Sequence, residues 1–379
     1  MRKSFFTITA AALILTGCAQ NEMLIESNDS NLVEIGFETY ADVQTKAENS
    51  SATGKNALST YHTTFDVWGY KNGVAAGDGV DVFVKVPVTY ASSAWSYGTT
   101  KRYWDKSASG YDFYAAAPAN DAWTFDKDTR KLSYDNYSLT GATIDASATI
   151  DNAAVFSDVD LMISTDVNGY NKYTSDRVGL VFNHILSRFN IGVKKDASVT
   201  EVVKLKSIKV YNMKSNGSFN EASASGDALS AGTIARWGNA TSPATFTIGV
   251  GYSTETTVTE DVNYVYQALC IPQAVGEEAV NLNGLDSAAD AENGVAAVNA
   301  VSATSKPYFV IEYTLDGEAF KYYYNLADVF NGSSSTADVN FCEGWQNNLI
   351  ITIKPAAIEF DAEVYEWVNK TVKNDAEVN

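Results

Sequence analysis

The run "VDVFVKVPVTY" over residues 80–90 places Val80, Val82, Val84, Val86 and Val88 at every second position. A period of two sends one set of side chains to a core and the other to solvent, so the stretch predicts a half-buried strand. Strand residues without helical spacing recur along the chain, in "FDVWGY" (65–70), "LKSIKVYNM" (205–213), "ATFTIGVGY" (244–252), "VNYVYQALCIPQ" (262–273) and "NNLIITIKPAAIEFDAEVYEWV" (347–368). Two hairpins are predicted, one over 122–135 turning at 126–130, the other over 306–326 turning at 315–317. "VGLVFNHILSRFNIGVK" (178–194) reads as a long β-rich run with a bend in its middle. Helix is expected only over 328–330 and within 277–300. Asn216–Gly217 is a turn signal opening a Gly/Ser-rich loop over 214–232. Many short strands with polar turns mean an all-β sandwich or barrel, and the length favours two sandwiches meeting near 195–200.

The N-terminus changes this picture by setting a compartment. Arg2 and Lys3 precede an apolar stretch over residues 5–15. That stretch is shorter than the roughly 20 residues a membrane-spanning helix needs, so it reads as a secretory signal. It closes with "LTGC", a lipobox pattern in which Cys18 becomes the lipidated first residue and the slim Thr16 and Gly17 admit a peptidase. The remaining composition suits an exported globular chain: 379 residues, 45% hydrophobic, and 27 basic against 46 acidic residues for a net charge of −19. Such acidity argues against nucleic acid and anionic headgroups as partners. Besides Cys18 there are only Cys270 and Cys342, expected as buried small hydrophobes rather than a disulfide scaffold.

Catalytic signatures are missing, and no enzyme activity, metal or cofactor is expected. The only histidines are His62 and His184, and His184 sits in an apolar strand-like run, as a structural histidine would. There is no H-E-x-x-H, G-x-S-x-G or phosphate-binding glycine loop. The carboxylates of "SDVDLMISTD" (157–166) and "DKD" (126–128) lack EF-hand spacing and read as solvated turn residues. The aromatics, including Trp68, Trp95, Trp104, Trp345 and Trp367, fall on strands and suit a β core.

One stretch stands out, "VEIGFETYADVQTKAENSS" (33–51). Val33, Ile35 and Phe37 alternate inward, and a soft polar loop follows. Lys46 in that loop is the first basic residue after Lys3, with six acidic residues between them.

These pieces resemble, in order, the fimbrillins of Bacteroidales, the subunits of type V pili. The pieces are the lipobox, the first strand, "TKA" (45–47), "FNHILSRFNIGV" (182–193), "LCIPQ" (269–273), "FKYYYNL" (320–326), "GWQNNLIITI" (344–353) and "VYEWV" (364–368). The resemblance implies two tandem transthyretin-like Greek-key β-sandwich domains, here 47–197 and 198–379, after a signal peptide (1–18) and a propeptide carrying the first strand (19–46). It implies export as a lipoprotein to the outer membrane, cleavage by a trypsin-like protease between Lys46 and Ala47, and loss of the strand bearing Val33, Ile35 and Phe37. A strand of another pilus subunit then fills the groove, with adhesion to a host or bacterial surface receptor as the outcome. The family's cut follows Arg whereas this position is Lys, and Lys55 is a second candidate. An uncleaved anchor subunit and a glycan-binding surface lipoprotein are the alternatives. The segment 357–368 is either the last strand of its own domain or the strand lent to a neighbour.

Overall fold

The computed structural model describes residues 32–44, 51–73, 79–140, 143–146, 154–155, 158–171, 173, 177–223, 234–241, 247–275, 285–286, 307–331, 340–354 and 358–366. Strands dominate. The first half carries β1 (Phe37–Gln44), β2 (Ser51–Lys55), β3 (Thr64–Asn72), β4 (Val80–Ala91), β5 (Ala94–Tyr97), β6 (Gly110–Ala117), β7 (Trp123–Asp126), β8 (Lys131–Ser138), β9 (Thr143–Ala146), β10 (Ala154–Val155), β11 (Met162–Ser164), β12 (Val167–Tyr170) and β13 (Val178–His184). The second carries β14 (Ser187–Lys195), β15 (Val203–Tyr211), β16 (Asn216–Asn220), β17 (Trp237–Thr241), β18 (Thr247–Thr257), β19 (Asn263–Cys270), β20 (Gln273–Ala274), β21 (Leu285–Asp286), β22 (Tyr308–Leu315), β23 (Glu318–Asn325), β24 (Asn340–Phe341), β25 (Trp345–Ile353) and β26 (Ile358–Glu366). A short helix, α1 (Leu326–Asn331), covers the expected 328–330. No helix among the described residues is long and apolar enough to cross a membrane.

A nine-stranded sheet runs β2-β1-β13-β11-β6-β3-β4-β5, with β12 also paired to β6. It curls until its ends meet: the Ile35 amide donates to the Arg102 carbonyl at 2.9 Å, and the Trp104 amide to the Val33 carbonyl at 3.0 Å. The enclosed core is aromatic, with Phe37, Phe65, Phe83, Phe113 and Phe182 each at most 1% exposed. Gly69 makes room for it, since a Cβ there would lie 2.9 Å from Phe83 and 3.0 Å from Phe113.

The second half packs a five-stranded sheet, β10-β19-β14-β25-β26, against a six-stranded sheet, β21-β23-β22-β15-β18-β9. Leu349, Ile351 and Ile353 of β25 and Ile208 and Val210 of β15 belong to the shared core. A four-stranded sheet, β17-β16-β8-β7, joins the halves. Its Phe125 covers the outer face of the curled sheet, 5.7 Å from Trp68, 5.7 Å from Tyr70 and 4.9 Å from Tyr114.

Both predicted hairpins are present, as β7–β8 and β22–β23. The second turns through Asp316 and Gly317 at φ 48° and 90°, a mirror-image turn that suits Gly and tolerates Asp. One expectation needs correction. Asn216 and Gly217 do not turn; they open β16, opposite Ser138 and Tyr137 of β8, because pairing across sheets overrides the local turn signal. The long run 178–194 divides at Ile185–Leu186, and its second part, β14, pairs with β19 and β25. The expected bend is thus where the chain passes from the curled sheet to the five-stranded one. Lys55, the second candidate for the cut, ends β2, opposite Tyr40. Trp68, Trp95 and Trp104 are buried, and Cys270 and Cys342 are buried and unpaired, as expected.

Candidate functional site: the seat of the first strand

β1 lies between two neighbours. It runs parallel to β13, with Phe37 opposite Val178 and Thr39 opposite Leu180, and antiparallel to β2, with Tyr40 opposite Lys55 and Gln44 opposite Ser51. The strand is longer than the pattern of Val33, Ile35 and Phe37 indicated: residues 33–36 lead in, with Glu34 bridged to Tyr103, and continuous pairing extends to Gln44. Inward alternation holds. Ile35 and Thr39 are fully buried, Phe37 is 1% exposed, and Val33 packs half-buried at the rim.

Phe37 is the hub. Its ring lies edge-on to Phe83 at 5.3 Å, Phe113 at 5.8 Å, and Phe65 and Tyr97 at 6.1 Å. Such T-shaped pairs add to the area the ring buries. The backbone is gripped as well. The Val178 amide donates to the Gly36 carbonyl at 2.9 Å and the Asn56 amide to the Thr39 carbonyl at 2.7 Å. Tyr97 Oη donates to the Ile35 carbonyl at 2.8 Å. Burial pushes that phenol well above its usual range, so it keeps its proton. Arg177 Nη1 donates to the Phe37 carbonyl at 3.4 Å and the Trp95 carbonyl at 3.3 Å, tying strand to rim. Sequence reading missed Tyr97, Arg177 and Thr39, because their partners are backbone groups or core positions far away in the chain.

Cys18, Lys46 and Ala47 lie outside the described residues. Lys46 and Ala47 belong to the stretch 45–50 that joins β1 to β2. β2 has no pairing partner other than β1 among the described residues.

At the other end of the chain, β26 is an outer strand of the five-stranded sheet. It pairs antiparallel with β25, from Ile358 opposite Ile353 to Glu366 opposite Trp345. Its Phe360 is half-buried, 4.6 Å from Tyr324 and 5.7 Å from Phe309. Its opening, "IEFDA" (358–362), repeats the pattern of "IGFET" (35–39) in β1.

The two histidines, distant in sequence, meet at one carboxylate where the halves join. His184 Nδ1 lies 2.6 Å from Asp160 Oδ2, both buried. His62 sits beside them, its basicity lowered mainly by burial. Arg188 Nη2 donates to Gln267 Oε1 at 2.7 Å. His62, Asp160, Arg188 and Gln267, with Tyr61 and Pro118, line a cleft of about 410 Å3, behind which His184 is buried. Among the described residues no three potential ligands converge as a metal site would require. The acidic turns have structural tasks: Asp126 accepts from the amides of Asp128 and Thr129, and Asp158 caps Thr140.

A family model described as fimbrillin-like matches residues 45–367. The fimbrium subunit Fim1C of Phocaeicola vulgatus is 28% identical over 207 residues, 52% of this chain and 52% of that protein. The chain thus spans about half the length of the curated relative it matches. A fimbrial protein from Bacteroides vulgatus superposes at a TM-score of 0.43 and 14% identity, covering 87% of this chain and 99% of that one. The tip fimbrial protein Mfa3 from Porphyromonas gingivalis, truncated at its C-terminus, gives 0.39 at 10% identity over 89% and 100%.

Proposed function

The chain belongs to the fimbrillin-like family, whose members are structural proteins of fimbriae rather than enzymes, and from that premise we propose that it is a subunit of a type V pilus at the cell surface, completed by strand exchange. It reaches the outer membrane as a lipoprotein anchored through Cys18. A trypsin-like protease cuts between Lys46 and Ala47, and the strand carrying Val33, Ile35 and Phe37 departs. A strand from another subunit takes its place. The two halves act as tandem transthyretin-like sandwiches in the fibre, which supports adhesion.

The observation that carries this reading is the position of β1. It supplies the hub of a core and is tied to the following strand by the short connector 45–50, which holds Lys46. Severing that connector frees a whole strand, and among the described residues only β2 is left without a pairing partner. Lys55 serves less well, because a protease needs an extended, unpaired backbone and Lys55 is paired. The vacated seat exposes an unpaired edge and an apolar slot, which strand addition repairs through main-chain hydrogen bonds and alternating side chains. β26 is the best-suited donor, as an outer strand whose Ile358, Phe360 and Ala362 fall at the spacing of Ile35, Phe37 and Thr39.

The N-terminus of the protein recovered from cell-surface fibres, read by mass spectrometry, tests the proposal. A start at Ala47 is expected. Fibres built only from chains starting at lipidated Cys18 would sink the cleavage step and favour an anchor role.

A further inference from the structure

Among the described side chains of β1, Thr39 is the one polar group that is fully buried, and its hydroxyl Oγ1 has no hydrogen-bond partner. Its carbonyl accepts from the Asn56 amide, and the residue lies opposite Leu180, itself fully buried. A hydroxyl taken out of water without a partner weakens whatever contains it, while the same site filled by an apolar group of like shape loses nothing. The other inward positions of β1, Ile35 and Phe37, carry no such penalty. When "IEFDA" is laid over "IGFET", Phe360 falls on Phe37 and Ala362 falls on Thr39. The potential donor keeps the two anchors and omits the hydroxyl.

We propose that β1 is built as the weaker occupant of its own seat, and that Thr39 is the residue that makes it so. The inference rests on the strand-exchange reading and adds its direction: replacing β1 with a strand that is apolar at this position runs downhill. Phe37 gives the slot its selectivity for an aromatic side chain. Thr39 limits how firmly the resident strand holds, so that the slot stays filled during export and yields during assembly.

The test uses the full chain with a site for a sequence-specific protease inserted between Gln44 and Ser51. After the cut, fluorescein-labelled peptides of residues 33–44 compete for the seat, in wild-type form and with Thr39→Val, and anisotropy reports their retention. Only the peptide varies, so folding of the chain is not at issue. The Thr39→Val peptide is expected to be held about tenfold more tightly. Equal retention of the two peptides would overturn the role of Thr39 and leave strand exchange standing. Entry of neither peptide would overturn strand exchange itself. In the uncut chain, Thr39→Val is expected to raise the urea midpoint, and a lowered midpoint would count against the proposal.

Discussion

Phe37 of β1 meets four aromatic rings in a closed core. Phe37→Ala is expected to cost the uncut chain about 3–5 kcal/mol, read from urea unfolding. Phe360→Ala, on a half-buried outer strand, should cost clearly less. Charge at buried sites gives a second set of expectations. Burial and the nearby Glu221 carboxylate push Asp166 from 3.8 up to about 6. The folded chain thus binds the proton more tightly than the unfolded one. The stability linked to it is fully present below pH 4 and is lost as pH rises through 6. Asp166→Asn is therefore expected to raise the melting temperature at pH 8, by about 1–2 kcal/mol in stability after allowance for its partly open side, and to change little at pH 3.5. A stabilising effect that persisted undiminished at pH 3.5 would rule out titration as its cause. His62 works in the opposite sense. Its folded value lies below 6.5, so its contribution is present above 6.5 and is lost as pH falls through the folded value. His62→Gln should flatten the loss of stability between pH 6.5 and 5, measured by thermal melts across that range. None of these roles was legible in the sequence. The period-two pattern gave the inward side of β1, but Asp166, Glu221 and His62 acquire their environments from strands far off in the chain.

At the scale of elements, the alternation of Val33, Ile35 and Phe37, the hairpin turns at 126–130 and 315–317, and a strand within 357–368 could be read directly, because each depends on neighbours within a few residues. The extension of β1 to Gln44, the strand at Asn216–Gly217 and the pairing of Lys55 could not. They depend on β2, β8 and β13, and a single strand does not reveal its partners. The placement of β2 beside β1 alone yields a further expectation. A chain beginning at Ala47 should lose amide protection through Ser51–Lys55 and at Asn56, whose amide bonds to Thr39, while β14 and β25 stay protected. Hydrogen exchange read by mass spectrometry checks this, and added peptide 33–44 should restore the lost protection. Protection of β2 in the shortened chain without peptide would mean that another strand has taken the seat.

As a whole molecule, the chain is interlocked across its expected division at 197/198. β8 of the first half pairs with β16 of the second, β9 with β18, and β10 with β19. A core cluster contains both Trp68 and Ile353. The full chain is accordingly expected to unfold in one calorimetric transition whose van't Hoff and measured enthalpies agree. Two resolved transitions would show the halves to be independent. Charge shapes the joint too, where the Arg236 guanidinium and the Glu343 carboxylate form a buried ion pair bridging the four-stranded sheet and the approach to β25.

The division of the long β run at Ile185–Leu186 has a mechanical consequence. β13 flanks the seat of β1 and passes, after two buried residues, into β14, which lies parallel to β25; β25 in turn holds β26. In a fibre of exchanged strands, tension entering one subunit through the inserted strand would travel along β13 and β14, cross to β25 and leave through the donated end. Pulled along its axis and gripped on both sides, such an inserted strand would be loaded in shear, so its hydrogen bonds would share the force rather than open one at a time. The link at Ile185–Leu186 would make the chain a tensile element, with its strongest direction along the fibre.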